Sequence, residues 1–385
     1  MRIAQISTTG TFLPEYYISN EYLLCRGLAQ RGHKVTLFTV NKTPKWQTIK
    51  SKKEERRIER YDGFSVHRLS GGPEIGIVPL IPGLFSTLMK MDFDVIHVHD
   101  FFAVSSFYGA IVSRVKGLPL ILTQHNDTFP SKSINALLYL LNSYSLGRFV
   151  FSYSQKIIAL DSAIKIHLVA MGVDENKIEI IPNGIDTRFF SPNQKNLLEN
   201  KWGISRPTVL FVGRLVEDKG VRYLLKAFSE VVKKIPEAKL VIVGKGPQER
   251  ELRKLQEKLD LTNVFFLGAL KSRLMPEIYA GCDVLVLPSV HEPFGNVVIE
   301  AMASGKPVIG NYVGGIKDTI VHGVTGYHVP PRNSQKISEF IIKLLRDSSL
   351  KEKMGNNARV NAITNYNIDT IVKKIEDIYY DQCFN

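Results

Sequence analysis

The sequence is poor in cysteine and tryptophan and short of acidic residues. Its 385 residues hold 3 cysteines and 2 tryptophans. Cys25, Cys282 and Cys383 lie too far apart for a disulfide framework or a zinc ligand pattern, so unspecialised reduced thiols are expected. No stretch offers the ~20 nearly uncharged apolar residues of a spanning helix, and the opening MRIAQISTTG lacks the apolar run of a secretory leader. A cytoplasmic protein is expected. Asp and Glu number 37 against 50 Lys and Arg, a formal net charge of +13. That excess concentrates polyanions of any kind, from nucleic acid to anionic lipid to a phosphorylated substrate. Nucleic acid is not expected as a partner, because no RNP, KH or zinc-finger pattern and no basic stripe interleaved with aromatics occurs.

What is present describes a folded α/β chain. Hydrophobic residues at 44% and charged residues at 23% exclude a disordered or fibrous polymer. The length exceeds one core of roughly 100 to 200 residues, so two domains are expected. Short β-branched runs, each closed by Gly, Pro, Ser or Asn and followed by helical periodicity, are the pattern of parallel βα units. One set runs 2–7, 34–40, 64–69, 94–99, 118–123, 156–160 and 177–182. A second runs 208–213, 239–244, 263–268, 283–288 and 306–311, with a weaker member at 326–330. Between them Pro182, Pro192 and Pro207 interrupt a stretch with no strand pattern. The expected division is a first domain over 1–188, a linker over 189–206, a second domain over 207–365 and a terminal helical segment over 366–385.

The densest chemistry lies in PSVHEPFGNVVIEAMASGKPVIG, residues 288–310. A strand ends at Pro288 and a helix starts near Gly295 or Asn296. Gly295 admits close backbone approach, and the first-turn amides around Asn296 to Val298 can face an anion with the helix dipole behind them. Glu292 and Glu300 stand about 12 Å apart even along a helical path, too far to act on one atom. The spacing suits an elongated ligand held by hydroxyls at each end and by phosphates between, the shape of a nucleotide sugar. Read singly, each glutamate is an ordinary solvated charge.

This segment resembles the signature of family 4 retaining glycosyltransferases of the GT-B fold. FVGRLVEDKG at 211–220 is similar to the family's Gly-Arg-Leu…Lys-Gly segment, which implies that Arg214 and Lys219, after Gly213, hold the donor diphosphate. A forked guanidinium with an ammonium can stabilise a leaving nucleoside diphosphate without a metal. LVIVGKGPQ places Gly244 and Gly246 after a strand, similar to the nucleotide-contacting loop, while the full GxGxxG of a dinucleotide oxidoreductase is absent. FFLGAL resembles the segment lining the base pocket, implying backbone contacts at Ala269 and Leu270. RGHKVTLFT at 31–39 and IIPNGID at 180–186 also resemble family segments, whereas 42–92 does not. Where many relatives carry a Gly-Gly pair after the first strand, this chain has only Gly10, the acceptor-side candidate.

DVIHVHD sets His97 and His99 on one face of a strand, and His125 follows the end of another. With Asp100 the pair could ligate zinc, but no fourth ligand is evident, and hydrogen-bonded packing is the reading adopted; no metal is expected. The T-x-H segment Thr123-Gln124-His125 resembles one in which the histidine reaches the donor sugar. Asp92-Phe93-Asp94 has DxD form but precedes its strand, whereas ligands gather beyond carboxyl ends, so it is rejected as a metal site. The basic stretch 42–60 and the apolar segment 76–91 could rest on an anionic membrane or be a solvated charged helix beside a buried connection.

The resemblance implies two doubly wound, Rossmann-like parallel-sheet domains facing a cleft, the second donor-binding and the first acceptor-facing, with the terminal helix returning to the first. It implies transfer of a hexose from a UDP- or GDP-linked donor to a hydroxyl with retained configuration. The acceptor is expected to be a glycan or lipid-linked precursor, and the protein to be cytoplasmic, free or resting on the cytoplasmic face of a membrane. Glu292 would hold sugar hydroxyls, Glu300 the ribose, and Phe294, Gly295 and Asn296 the diphosphate and sugar. No resident cofactor is implied. A GT-B-like sugar-nucleotide epimerase and a non-catalytic membrane-associated binder are the alternatives.

Overall fold

The computed structural model describes residues 1–7, 19–40, 57–71, 74–75, 78–79, 81–126 and 143–384. Two compact units divide the chain: Met1–Pro14, Ile18–Gly184 and Ile368–Asn385 form the first, and Glu15–Tyr17 with Ile185–Asn367 the second.

The first unit is built on eight strands: β1 (Arg2–Ile6), β2 (Lys34–Val40), β3 (Arg57–Tyr61), β4 (Phe64–Leu69), β7 (Val95–His99), β8 (Leu120–Gln124), β9 (Lys156–Ala159) and β10 (Ile178–Ile180), with β5 (Glu74–Ile75) and β6 (Val78–Pro79) a separate short hairpin. Their order is β10-β9-β8-β7-β1-β2-β4-β3. All neighbours run parallel except β3 and β4. The order reverses at β1 and β7, so the crevice of this sheet opens beyond Ile6 and His99.

Strand β3 departs from expectation. RIERY belongs to the stretch read as charged helix or membrane contact, yet it pairs antiparallel with β4 at the sheet edge. Edge strands are commonly blunted by charge, and here Arg68 of β4 holds Glu59 at 3.0 Å. Residues 42–56 lie outside the described residues. In the apolar stretch 76–91, the helix Leu84–Lys90 buries Leu84 and Leu88 while Phe85 faces outward.

The C-terminal helix Ile368–Phe384 completes the first core. Ile368, Ile371, Val372, Ile375 and Tyr379 pack with Ile3, Leu24, Leu28 and Leu37 in one buried cluster. The helix Asn20–Gln30 approaches it closely at Gly27, where a Cβ would stand 2.6 Å from the Val372 side chain. At the rim Glu376 takes Arg31 at 2.7 Å and His33 at 2.7 Å. Burial alone would raise the Glu376 carboxyl, but the hydrogen bonds from His33 and Arg31 outweigh it and hold it below the ordinary range. Its contribution to stability is therefore full above the unfolded carboxylate range and lost as pH falls through the depressed folded value. Glu376→Gln is expected to cost about 1–2 kcal/mol at pH 7 by replacing charged hydrogen bonds to Arg31 and His33 with weaker neutral ones, and the deficit should shrink under acid conditions in urea titrations. An equal loss at pH 7 and pH 3 would refute the assignment.

The second unit carries β11 (Thr208–Val212), β12 (Lys239–Val243), β13 (Val264–Gly268), β14 (Val284–Leu287), β15 (Val308–Asn311) and β16 (Gly326–Val329), all parallel in the order β13-β12-β11-β14-β15-β16. Its inner strands β11, β12 and β14 are buried almost throughout, which is why they read as continuous apolar runs. Val221, Leu224, Leu225, Phe228 and Val231 form the buried stripe of the helix Val221–Lys234. Residues 189–206, expected as linker, belong to this unit: the helix Leu197–Trp202 buries Leu198 beside Gly281, where a Cβ would lie 3.0 Å from it. Among the described residues no helix is long and apolar enough to cross a membrane.

Candidate functional site

The second sheet reverses between β11 and β14, and the residues singled out in the sequence cluster on the loops after these strands and after β12 and β13. Backbone hydrogen bonds join the loops. Gly213 N–H donates to the Val243 carbonyl and Gly244 N–H to that of Gly268; the Leu215 and Lys245 loops meet at 3.0 Å. Val290 N–H donates to the Asp218 carbonyl at 2.8 Å, tying the loop of Lys219 to that of Glu292. Gly244 is forced by this closeness: with φ of +139°, a Cβ there would stand 1.8 Å from the Gly213 carbonyl oxygen. Gly246 sits equally tightly on the backbone of Leu215. Ala269 is exposed and Leu270 half-buried just beyond β13.

On this platform Lys219 forms a 2.5 Å ion pair with Glu292 Oε2, the side chains 15% and 8% exposed. Ser289 Oγ donates to the same carboxylate oxygen at 3.0 Å. Gly314 abuts this loop: at φ +45° its Cβ would fall 1.7 Å from the Glu292 carbonyl oxygen. Arg214 is exposed, and among the described residues its guanidinium has no hydrogen-bond or ion-pair partner. Phe294 is buried, its ring 6.4 Å from that of Tyr366. Gly295, at φ +86°, starts the helix Asn296–Ala303 with no side-chain cap, which leaves the helix tip open to an external acceptor.

Glu300 projects from that helix, and Tyr279 donates to its Oε2 at 2.7 Å. Burial pushes the Glu300 carboxyl up to about 7, the Tyr279 hydrogen bond opposing in part. The residue is half-buried by surface, so its polar end is enclosed while part of the side chain remains reachable. Neither Ser289, Tyr279 nor Gly314 was singled out in the sequence. Only the pair Gly314-Gly315 offered a signal, as a turn after a strand.

In the first unit His97 and His99 lie on β7 and His125 just past the end of β8. His97 contacts the Tyr379 hydroxyl at 2.5 Å and Thr123 Oγ1 at 2.7 Å. His99 contacts Gln5 Oε1 at 2.9 Å and His125 Nε2 at 2.8 Å, with the His99 and His125 rings stacked 5.1 Å apart. Asp100 Oδ1 accepts the His125 backbone N–H at 3.1 Å. Glu21, His99 and His125 offer ligand atoms within 4.8 Å of one another. A tetrahedral ion bound at 2.0–2.1 Å would separate two nitrogens by roughly 3.3 Å, whereas 2.8 Å is hydrogen-bond distance. His97 and His99, the pair singled out in the sequence, stack with ring centroids 4.6 Å apart, and each ring is held by hydrogen bonds to other residues. Asp94 of the DxD-like segment is paired with Arg2 at 2.7 Å, a structural role. Gly10 lies outside the described residues.

The fold and these loops are those of a GT-B glycosyltransferase. The pattern described as Glycosyltransferase Family 4 matches residues 22–189 and that of Glycosyl transferases group 1 matches 194–361. An uncharacterized glycosyltransferase of Methanocaldococcus jannaschii is 30% identical, over 92% of each chain. The chain belongs to the family 4, group 1 glycosyltransferases. It is also 28% identical to a UDP-Gal:alpha-D-GlcNAc-diphosphoundecaprenol alpha-1,3-galactosyltransferase of Escherichia coli, over 78% of this chain and 79% of that one. Among solved structures, HepE of Anabaena in complex with UDP and glucose superposes with a TM-score of 0.78 at 23% identity, covering 99% of this chain and 100% of that one.

Proposed function

We propose that the protein transfers a hexose from a UDP- or GDP-linked donor to a hydroxyl acceptor, retaining the anomeric configuration and needing no metal. The observation that carries this reading is the Lys219–Glu292 pair together with the exposed Arg214 guanidinium, which has no partner among the described residues, on loops at the reversal of the second sheet. Two cations there can take the charge that grows on a departing diphosphate, which is the service a metal would otherwise supply. Glu292 is then held by Lys219 and Ser289 to accept sugar hydroxyls, Phe294 and the Gly295–Asn296 helix tip face the diphosphate and sugar, and Glu300 accepts from the ribose. The acceptor hydroxyl attacks the anomeric carbon on the face the diphosphate leaves, and its proton passes to the departing phosphate oxygen. His125 is assigned to the donor sugar and Gly10 to the acceptor.

The Escherichia coli relative's diphosphoundecaprenol substrate supports a lipid-linked acceptor, and the net charge of +13 supports attachment at the cytoplasmic face of an anionic membrane. The test is incubation with UDP- and GDP-hexoses, each with a prenyl-diphosphate-linked sugar and EDTA. Transfer should persist in EDTA, and proton NMR of the product should show the donor's anomeric configuration. An inverted product, or an isomerised nucleotide sugar formed without acceptor, would sink the reading.

A further inference from the structure

His97, His99 and His125 form part of a directed chain of hydrogen bonds that ends on His125. Its direction starts at Gln5, whose Nε2 donates to the Tyr379 hydroxyl at 2.8 Å. The other end of the amide, Oε1, can only accept, so the proton on the 2.9 Å contact belongs to His99 Nε2. A neutral His99 then carries its lone pair on Nδ1, and the 2.8 Å contact must be a donation from His125 Nε2–H. On the other branch Tyr379, having accepted from Gln5, donates to His97 Nδ1, and His97 Nε2–H donates to Thr123 Oγ1. Every proton in the chain is accounted for with neutral rings. Burial, reinforced by the neighbouring histidines, holds His97 well below its ordinary range and His99 down at about 3, with Glu21 opposing at His99.

We propose that Gln5 and Tyr379 are positioning residues that fix the tautomer of His125 from inside the domain, so that its Nδ1 offers a lone pair to a sugar hydroxyl. Among the described residues Nδ1 of His125 has no hydrogen-bond partner, while Nε2 is committed inward to His99. His125 thereby acts as an acceptor and selects a sugar that presents a hydroxyl donor there. The chain crosses most of the sequence: Tyr379 lies on the C-terminal helix, so that helix helps set the chemistry of His125 as well as closing the core. Glu21 accepts from Ser7 Oγ at 3.1 Å and keeps a carboxylate oxygen within 4.8 Å of ring nitrogens of His99 and His125. Reversing the Gln5 amide would reverse each donor along the chain and leave the proton of His125 on Nδ1, which makes the direction measurable.

The assignment of His125 to donor sugar rests on the glycosyl-transfer reading; the tautomer itself does not. The test is a long-range nitrogen–proton correlation spectrum of histidine-labelled full-length protein at pH 7.5, for the wild type, Gln5→Met and Tyr379→Phe. His97, His99 and His125 of the wild type should all appear as Nε2–H tautomers. In at least one folded variant His125 should shift to a mixture of tautomers, with kcat down about tenfold and affinity for the free nucleoside diphosphate within twofold of wild type. An Nδ1–H tautomer of His125 in the wild type would overturn the proposal. So would a persistent Nε2–H form in both variants, full turnover after the tautomer is lost, or a tightly bound metal at Glu21, His99 and His125, which would take the lone pairs. Failure of the glycosyl-transfer reading would look different: the wild type would show the assigned tautomers but no transfer.

Discussion

Replacing Lys219 with alanine is expected to lower kcat by about 10²–10³-fold, the usual cost of removing one positioned donor from a developing negative charge. The same change strips a buried carboxylate of its partner, so part of the lost activity could come from Glu292 moving. Arg214 separates the two effects. Its guanidinium is exposed and without a partner among the described residues, so Arg214→Ala should change stability by less than about 0.5 kcal/mol. Turnover should nevertheless fall at least tenfold, because in the proposed mechanism the forked cation serves the diphosphate. Lys219→Arg should rescue little, since a planar fork does not fit the compact seat in which Nζ meets Glu292 at 2.5 Å and Glu292 also takes Ser289. Steady-state kinetics beside thermal melts of the three variants decide it. An Arg214→Ala enzyme with wild-type turnover would mean that the guanidinium does not serve the leaving group.

Changing Glu300 to glutamine should move stability and nucleotide binding in opposite directions. The Glu300 carboxyl titrates near 7 in the folded protein and in the ordinary carboxylate range when unfolded. The folded state therefore holds this proton more tightly, and the stability tied to it is complete below the unfolded value and lost as pH rises through about 7. At pH 8 the wild type carries an enclosed carboxylate, so Glu300→Gln should be the more stable protein by about 1–3 kcal/mol, a gain that vanishes toward pH 4.5. Binding runs the other way. In the proposed role Glu300 accepts ribose hydroxyls more strongly when ionised, so wild-type nucleotide affinity should climb as pH rises through about 7 and level off about a unit above it. Glu300→Gln should bind roughly 10- to 100-fold more weakly at pH 8, the worth of a charged hydrogen bond, and lose the pH dependence. Urea titrations and calorimetry across pH 5–8.5 measure both. A variant less stable than wild type at pH 8, or a wild-type affinity flat across that range, would contradict the burial argument.

The sequence made the parallel strands and the loops after them readable because their signals are local. A β-branched run bounded by glycine or proline needs no knowledge of its neighbours, and β1, β2, β11 and β14 all fell within the expected runs. Arg214, Lys219, Glu292 and Glu300 could be singled out because each belongs to a short motif after a strand that resembles a family segment. Strand β3 was not, because RIERY is mostly charged and owes its conformation to pairing with β4 rather than to its own residues. The helix inside 189–206 was obscured by the prolines around it and depends on packing against Gly281. The partners that tune the site were invisible for a further reason. Tyr279 is 21 residues from Glu300, and Tyr379 is 282 from His97, and no short pattern reports contacts at such separations.

The central claim is that the loops after β11 and β14 form a seat for a nucleoside diphosphate in which Arg214 and Lys219 supply the charge. Isothermal titration of the purified full-length protein with UDP, GDP, ADP and TDP, repeated on Arg214→Ala and Lys219→Ala, addresses it most directly. The account predicts one-site binding of at least one of the four, weakened tenfold or more in each variant. No binding by any of them, or undiminished binding by the variants, would contradict it.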